Sequence, residues 1–146
     1  MGDLVKVVLV EDEYVETPWA ESLGNSLYRL DNAPFWKYGI SLDDIFEAQP
    51  DDSGRPAFIR VVKKSGNRTV RIRLQPRADR DPDSQAILDQ LVAHGCEYEG
   101  MHPGYIVVTV PAKVHLADIV AYIIATGQQW EHADPTYDEL HPKDEA

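Results

Sequence analysis

The sequence predicts an α+β protein: an N-terminal curled antiparallel sheet or partial barrel joined to a ferredoxin-like βαββαβ half. Three observations point there. Short β-branched or alternating runs, each bounded by turn formers, fill the chain as far as Leu74. Past residue 76 the apolar spacing changes from two to three and four, the helical period. From Arg68 the elements then run strand, helix, strand, strand, helix, strand, which is the split βαβ order. At 146 residues the chain can bury a core without disulfide staples.

In chain order, "LVKVVLV" (Leu4 to Val10) is a β-branched run closed by the acidic "EDE", of a length that suits a buried strand. "WAESLGNSLYRL" reads as two strands about Gly24-Asn25, with Trp19, Leu23, Leu27 and Leu30 facing inward. Asp31 to Pro34 makes a turn, because Asp and Asn bond their own backbone and Pro fixes φ. Ser41 and Asp44 stand at capping-box spacing, so one helical turn leads into a strand from Ile45 to Gln49. "PDDSG" turns the chain again, and the strands Ala57 to Lys63 and Arg68 to Leu74 meet as a hairpin across "SGN".

The first long helix is capped by Asp81 or Asp83, presents Ile87, Leu88, Leu91 and Val92, and stops at Gly95. A hairpin about His102-Pro103-Gly104 follows, then a helix with Leu116, Ile119, Val120, Ile123 and Ile124 on its apolar side and Gly127 after it, then the short strand "WEHAD". The expected division is a β-rich portion over residues 1–66, a ferredoxin-like portion over 67–137 and a fraying acidic tail over 138–146. A strand shared between the two sheets would reconcile the Arg68 to Leu74 segment with both of its roles.

Charge is uneven. The chain carries −11 in all, which argues against general nucleic-acid or anionic-membrane binding and favours a basic protein partner. Yet residues 60–80 hold eight basic side chains against the single acid Asp79, so that window is +7 and the rest of the chain −18. A turn at Gly66-Asn67 or at Ser65-Gly66 sets Arg60 opposite Arg73 or Arg71, and like charges facing across a ladder require an anion or carboxylates between them. Arg60, Arg71, Arg73, Lys64 and Arg68 are therefore candidates for a site that binds an anionic small molecule or nucleic acid, with internal pairing to the chain's own acids as the competing reading.

The stretch "RLDNAPFWKYGISLDD" packs three aromatic residues into four positions. Phe35 is expected to plug the open end of the curled sheet, which leaves Trp36 or Tyr38 for the surface. With Asp43 and Asp44 they are the candidate partner contacts, and the acidic runs 11–16, 43–52 and 134–145 would steer a basic partner toward them. His94, Cys96 and His102 match no zinc spacing, His94 suits a helix C-terminus, and Cys96 reads as a small buried residue. No phosphate-loop, dinucleotide or nucleophile-elbow motif is present, so neither a cofactor nor a catalytic residue is assigned. There is one cysteine and neither a spanning apolar run nor a signal-type segment after Met1, so the expected location is the cytoplasm.

From Tyr28 to Ile72 the chain resembles the bacterial family known as domain of unknown function 4265. The likeness rests on an N-terminal "KV" strand, Trp19, the turn "YRLDNAPF", the entry "GISLDD" and the hairpin "SGNRTVR". It implies a fold over nearly the whole chain and carries no reaction, cofactor or site residue with it. Asp43-Asp44 stands where that pattern has Gly-Asp. The function expected is a small, non-catalytic protein-binding module, of the inhibitor or immunity type, for a basic partner.

Overall fold

The computed structural model describes residues 2–145. Seven strands form the first half: β1 (Leu4–Lys6), β2 (Leu9–Glu11), β3 (Tyr14–Glu16), β4 (Trp19–Gly24), β5 (Leu27–Leu30), β6 (Ile45–Pro50) and β7 (Pro56–Lys63). Five of them make an antiparallel sheet in the order β1-β4-β5-β6-β7, and β2 and β3 make a separate hairpin. The two edges of the large sheet meet through Val8, whose N–H donates to Pro56 O and whose carbonyl accepts from Phe58 N. The sheet thus curls back on itself through one parallel bridge without closing as a barrel. Inside the curl lie Val7, Leu9, Leu30, Ile40 and Phe46, all fully buried.

That crossing explains why "LVKVVLV" is two strands and not one. Val7 and Val8 leave the β1–β4 ladder to bond Pro18 O and β7, and the chain re-enters as β2 only at Leu9. On β4 the inward residue is Ala20, paired with the buried Leu30, so alternation turns Trp19 outward, under the Lys6 ammonium at 4.4 Å. A bulge between Ser22 and Gly24 leaves Leu23 exposed as well.

The second half runs β8 (Arg68–Arg73), α1 (Pro82–Ala93), β9 (Glu97–His102), β10 (Tyr105–Val110), α2 (Leu116–Thr126) and β11 (Gln129–Asp134). Its antiparallel sheet has the order β11-β8-β10-β9, as the split βαβ order requires. Asp81 caps α1 by accepting from Asp83 N at 3.0 Å, with Pro82 at the first helical position, and Gly95 follows the helix at φ 100°. Both helices pack on one sheet face against Val70, Ile72, Ile106 and Val108. After β11 the acidic segment continues as a short helix, α3 (Tyr137–Leu140), and a 3₁₀ turn over Pro142–Glu145, and Ala146, the last residue of the expected tail, lies outside the described residues. The cause is a capping box, in which Thr136 Oγ1 accepts from Glu139 N while Glu139 Oε1 accepts from Thr136 N.

β7 and β8 do not pair, and no strand is shared between the sheets: β7 is an edge of the first and β8 an inner strand of the second. The "SGN" segment is drawn instead to the turn at residues 41–44. Ser65 N donates to Asp44 Oδ1 at 2.7 Å, and Ser65 Oγ and Asn67 Nδ2 both donate to Leu42 O. Asp43 holds φ 68° in that turn, the left-handed conformation that glycine adopts freely and that Asp and Asn tolerate better than other side chains. Asp44 accepts from Ser41 N, so the expected helical turn is a tight polar turn.

The seam between the sheets is built from the same residues. Lys64 Nζ donates to Asp44 Oδ2 at 2.6 Å and to Asp134 Oδ2, while Ser41 Oγ donates to Asp134 Oδ2 at 2.6 Å and stands 2.6 Å from Thr69 Oγ1. Burial lowers the Lys64 pKa, but its bonds to Asp134 and Asp44 outweigh this and raise it overall.

Candidate functional site

The helix-free face of the second sheet presents every other residue of its strands. One cross-strand row is Glu131, Arg71, Val107, Glu99, and the next is Gln129, Arg73, Tyr105, His102. Across this face lies the loop 31–40, the aromatic stretch of the sequence. Arg71, 2 % exposed, is inserted beneath it and donates to Pro34 O at 3.0 Å, to Trp36 O at 3.2 Å and to Lys37 O, with Glu131 Oε2 at 3.4 Å. A planar guanidinium with five donors in a fixed fork can gather three carbonyls spread along a loop and still reach a carboxylate.

The other edge of the loop carries N–H groups, and these are held by carboxylates. Glu16 accepts from Phe35 N, Trp36 N and Lys37 N at 2.7, 2.8 and 3.0 Å, Glu11 accepts from Tyr38 N at 3.0 Å, and Glu99 accepts from Ala33 N and from Asn32 Nδ2. Three successive amides aimed at one point are an anion-binding nest, here filled by the protein's own Glu16. The loop is pinned on both sides and its aromatic rings are held in fixed places.

Those rings form a column. Tyr14 of the β2–β3 hairpin stacks on Trp36 with centroids 4.4 Å apart, Trp36 stacks on Tyr105 at 5.2 Å, and the Arg73 guanidinium sits 5.6 Å from the Tyr105 ring. Tyr105 Oη donates to Phe35 O at 2.6 Å, and Tyr38 Oη donates to Glu131 Oε1 at 2.6 Å. Burial first, and then this bond to Glu131, push the Tyr38 hydroxyl up to about 12, whereas burial raises Tyr105 against the pull of Arg71.

Around the column is a cleft of about 580 Å³, and a second of about 610 Å³ adjoins it, the two sharing Tyr38, Trp130 and Glu131. Together they make one groove, edged by Glu11 and Asp12 at one end and by Tyr137 and Asp138 at the other, with Glu131 where the two clefts meet. Among the described residues no group of three His, Cys, Asp or Glu side chains is placed to hold a metal ion.

The structure redistributes the expected site residues. Arg60, Arg71 and Arg73 share no hairpin face, because β7 and β8 lie in different sheets. Arg60 pairs with Glu47 at 2.9 Å, Arg68 donates to the carbonyls of Val110, Pro111 and Val114, and Lys64 is taken up in the seam. Asp44 is wholly buried and so is removed from the surface, while Asp43 is exposed. Phe35 is half-buried against Tyr105, 6.1 Å away, and does not plug the curl, where Ile40 and Phe46 stand instead. Trp36 is half-buried in the column, and Tyr38, 39 % exposed, lies in the groove. Tyr14, Glu16, Tyr105 and Glu131 join the site with no sign in the sequence except the alternation of β10 and β11, and Trp130, opposite Ile72 and packed on the helix-side core, reaches it at the edge strand β11. Cys96 is buried away from it, and burial raises its thiol pKa to about 11.

The model of a family described as a domain of unknown function, DUF4265, matches residues 16–133. The chain belongs to this family. The DUF4265 match opens at Glu16, the carboxylate that holds the aromatic loop, and takes in Trp36, Tyr38, Arg71, Tyr105 and Glu131, but not Tyr14. Among solved structures, a hypothetical protein from Neisseria gonorrhoeae is similar at 20% identity, over 91% of this chain and 94% of that one, with a TM-score of 0.70. At that identity the likeness is one of fold. No curated protein matches. No helix among the described residues is long and apolar enough to cross a membrane.

Proposed function

We propose that this DUF4265 protein is a cytoplasmic binding module that docks a basic protein partner in the aromatic groove, in the manner of an inhibitor or immunity factor. The observation that carries the reading is the groove itself: tyrosine and tryptophan rings held open by a pinned loop and edged by Glu11, Asp12, Glu131 and Asp138. Rigid aromatic rings with a polar tip supply contact area at low entropic cost and are enriched at the centres of interfaces. A lysine or arginine entering beside Tyr38 would meet an aromatic surface and the Glu131 carboxylate together, with about 0.5–2 kcal/mol from the ring contact. The two arginines on the groove wall, Arg71 and Arg73, do not cancel this attraction, because the four carboxylates of Glu11, Asp12, Glu131 and Asp138 outnumber them. The overall charge of −11 adds long-range steering of a cationic surface.

A planar ligand fits less well, since Trp36 is already stacked on both Tyr14 and Tyr105. The test is site-specific photo-crosslinking in the source cell, with the crosslinker at Tyr14 in the groove or at Val92, exposed on α1. The reading requires a discrete protein adduct from position 14 that is missing from position 92. Equal labelling from both positions, or none from position 14, refutes it.

A further inference from the structure

Once β7 and β8 are separated, Arg60, Lys64, Arg68 and Arg71 of the +7 window are accounted for by internal bonds, and of the other four, Lys63 lies apart at the end of β7 while Arg73, Arg77 and Arg80 come together. All three line one hollow of about 370 Å³ with His102, and none of the residues that line it is acidic. The sheet register sets Arg73 and His102 in a single row on either side of Tyr105. The loop bearing Arg77 and Arg80 is tied to the following hairpin, with Leu74 N donating to Gly104 O at 2.9 Å and Ala78 N to Pro103 O at 3.1 Å. Its near end is fastened by Gln128, which accepts from Gln75 N and donates to Gln75 O. A side chain at Gly104 would be crowded: a Cβ there would stand 3.0 Å from Arg77 Cγ and 3.2 Å from His102 Cε1, so these two side chains close on the same point.

The donors are largely unspent. Arg80 makes no side-chain hydrogen bond or ion pair among the described residues, and Arg73 only lies on Tyr105. Arg77 engages Asp79 through Nε and Nη2, which leaves its Nη1. His102 Nδ1 accepts from Gly104 N at 3.0 Å, which makes Nε2–H the donor of the neutral ring. The forks of Arg73 and Arg80, with Arg77 Nη1 and the His102 ring, offer more N–H groups than the two oxygens of a carboxylate readily accept, whereas a tetrahedral dianion with three or more oxygens can answer several of them at once.

We propose that the hollow bounded by Arg73, Arg77, Arg80 and His102 is a binding site for the phosphate of a small-molecule phosphate or diphosphate ester, adjoining the aromatic groove and sharing Arg73 with it.

Amide NMR titration of the full chain with inorganic phosphate and with pyrophosphate, at ionic strength held constant with chloride, tests it. The expected result is saturable shifts at Gly104, Arg77 and Arg80, with pyrophosphate the tighter ligand and citrate, of similar charge, at least tenfold weaker. Arg80→Gln, at a side chain that supports nothing else in the fold, should weaken pyrophosphate at least fivefold, and Arg77→Gln/Arg80→Gln at least tenfold. Shifts that never saturate, that chloride reproduces, that citrate matches, or that survive Arg80→Gln unchanged would overturn the proposal.

Discussion

Replacing Arg71 by methionine keeps the apolar stem and deletes the fork beneath the aromatic loop. Four acceptors lose their donor: Pro34 O, Trp36 O, Lys37 O and Glu131 Oε2. Pro34 is buried, so its carbonyl bears a full desolvation penalty of about 1–3 kcal/mol, while Trp36 and Lys37 are half-buried and recover some of theirs from water. Together these give a loss of about 3–4 kcal/mol, a large share of the roughly 5–15 kcal/mol that holds a domain folded. With a urea m-value of about 2 kcal/mol/M, the unfolding midpoint read by tryptophan fluorescence should fall by roughly 1.5–2 M at unchanged m. Arg71→Lys retains the charge but gathers its three donors on one atom, which cannot span the acceptors that the guanidinium reaches from Nε, Nη1 and Nη2, and should lose about half as much. A methionine variant within about 1 kcal/mol of the native protein, or a lysine variant equal to it, would refute the view that this guanidinium fixes the loop.

The other predictions follow from particular groups. Tyr38 keeps its proton to about pH 12 against an ordinary 10.0, so the stability tied to its bond with Glu131 is whole below pH 10 and is lost as the pH rises toward 12. Ultraviolet titration should show one late tyrosine step that Tyr38→Phe removes; loss of a step near pH 10 instead would contradict the assignment. Burial lifts the Cys96 thiol to about 11, so at pH 8 a thiol reagent should modify the native protein at least about 100-fold more slowly than the protein in urea. Asp44→Asn leaves Lys64 with one carboxylate fewer in the seam, and should cost about 2–3 kcal/mol in urea unfolding although its position suggests a surface residue by sequence.

The helices were legible because their signals are local: Asp81 with Pro82, the apolar spacing of Leu88 and Leu91, and the glycines at 95 and 127 all lie within or beside the elements they delimit. The "SGN" turn was misleading for the opposite reason. The same residues can close a hairpin or lead the chain from one sheet into another, and the decision rests with Asp44 and Leu42, more than twenty positions earlier, which take up Ser65 and Asn67. Arg71, between Val70 and Ile72, has the pattern of a solvent-facing strand residue and is buried only because residues 34–37 lie over it. The aromatic cluster was visible as a cluster, but its seat was not. Glu16, in an acidic run suggestive of solubility, holds three amides of the loop, a role that no spacing in the sequence records.

The measurement that bears most directly on the account is the affinity of the partner crosslinked from position 14 for the native chain and for Tyr14→Ala/Tyr38→Ala/Glu131→Gln. Loss of central aromatic contacts and of the groove carboxylate predicts a drop of at least about thirtyfold, equivalent to roughly 2 kcal/mol, and a native affinity that weakens as salt rises. A triple variant that stays folded and binds within twofold of the native chain, with no dependence on salt, would contradict the assignment of this groove as the docking site.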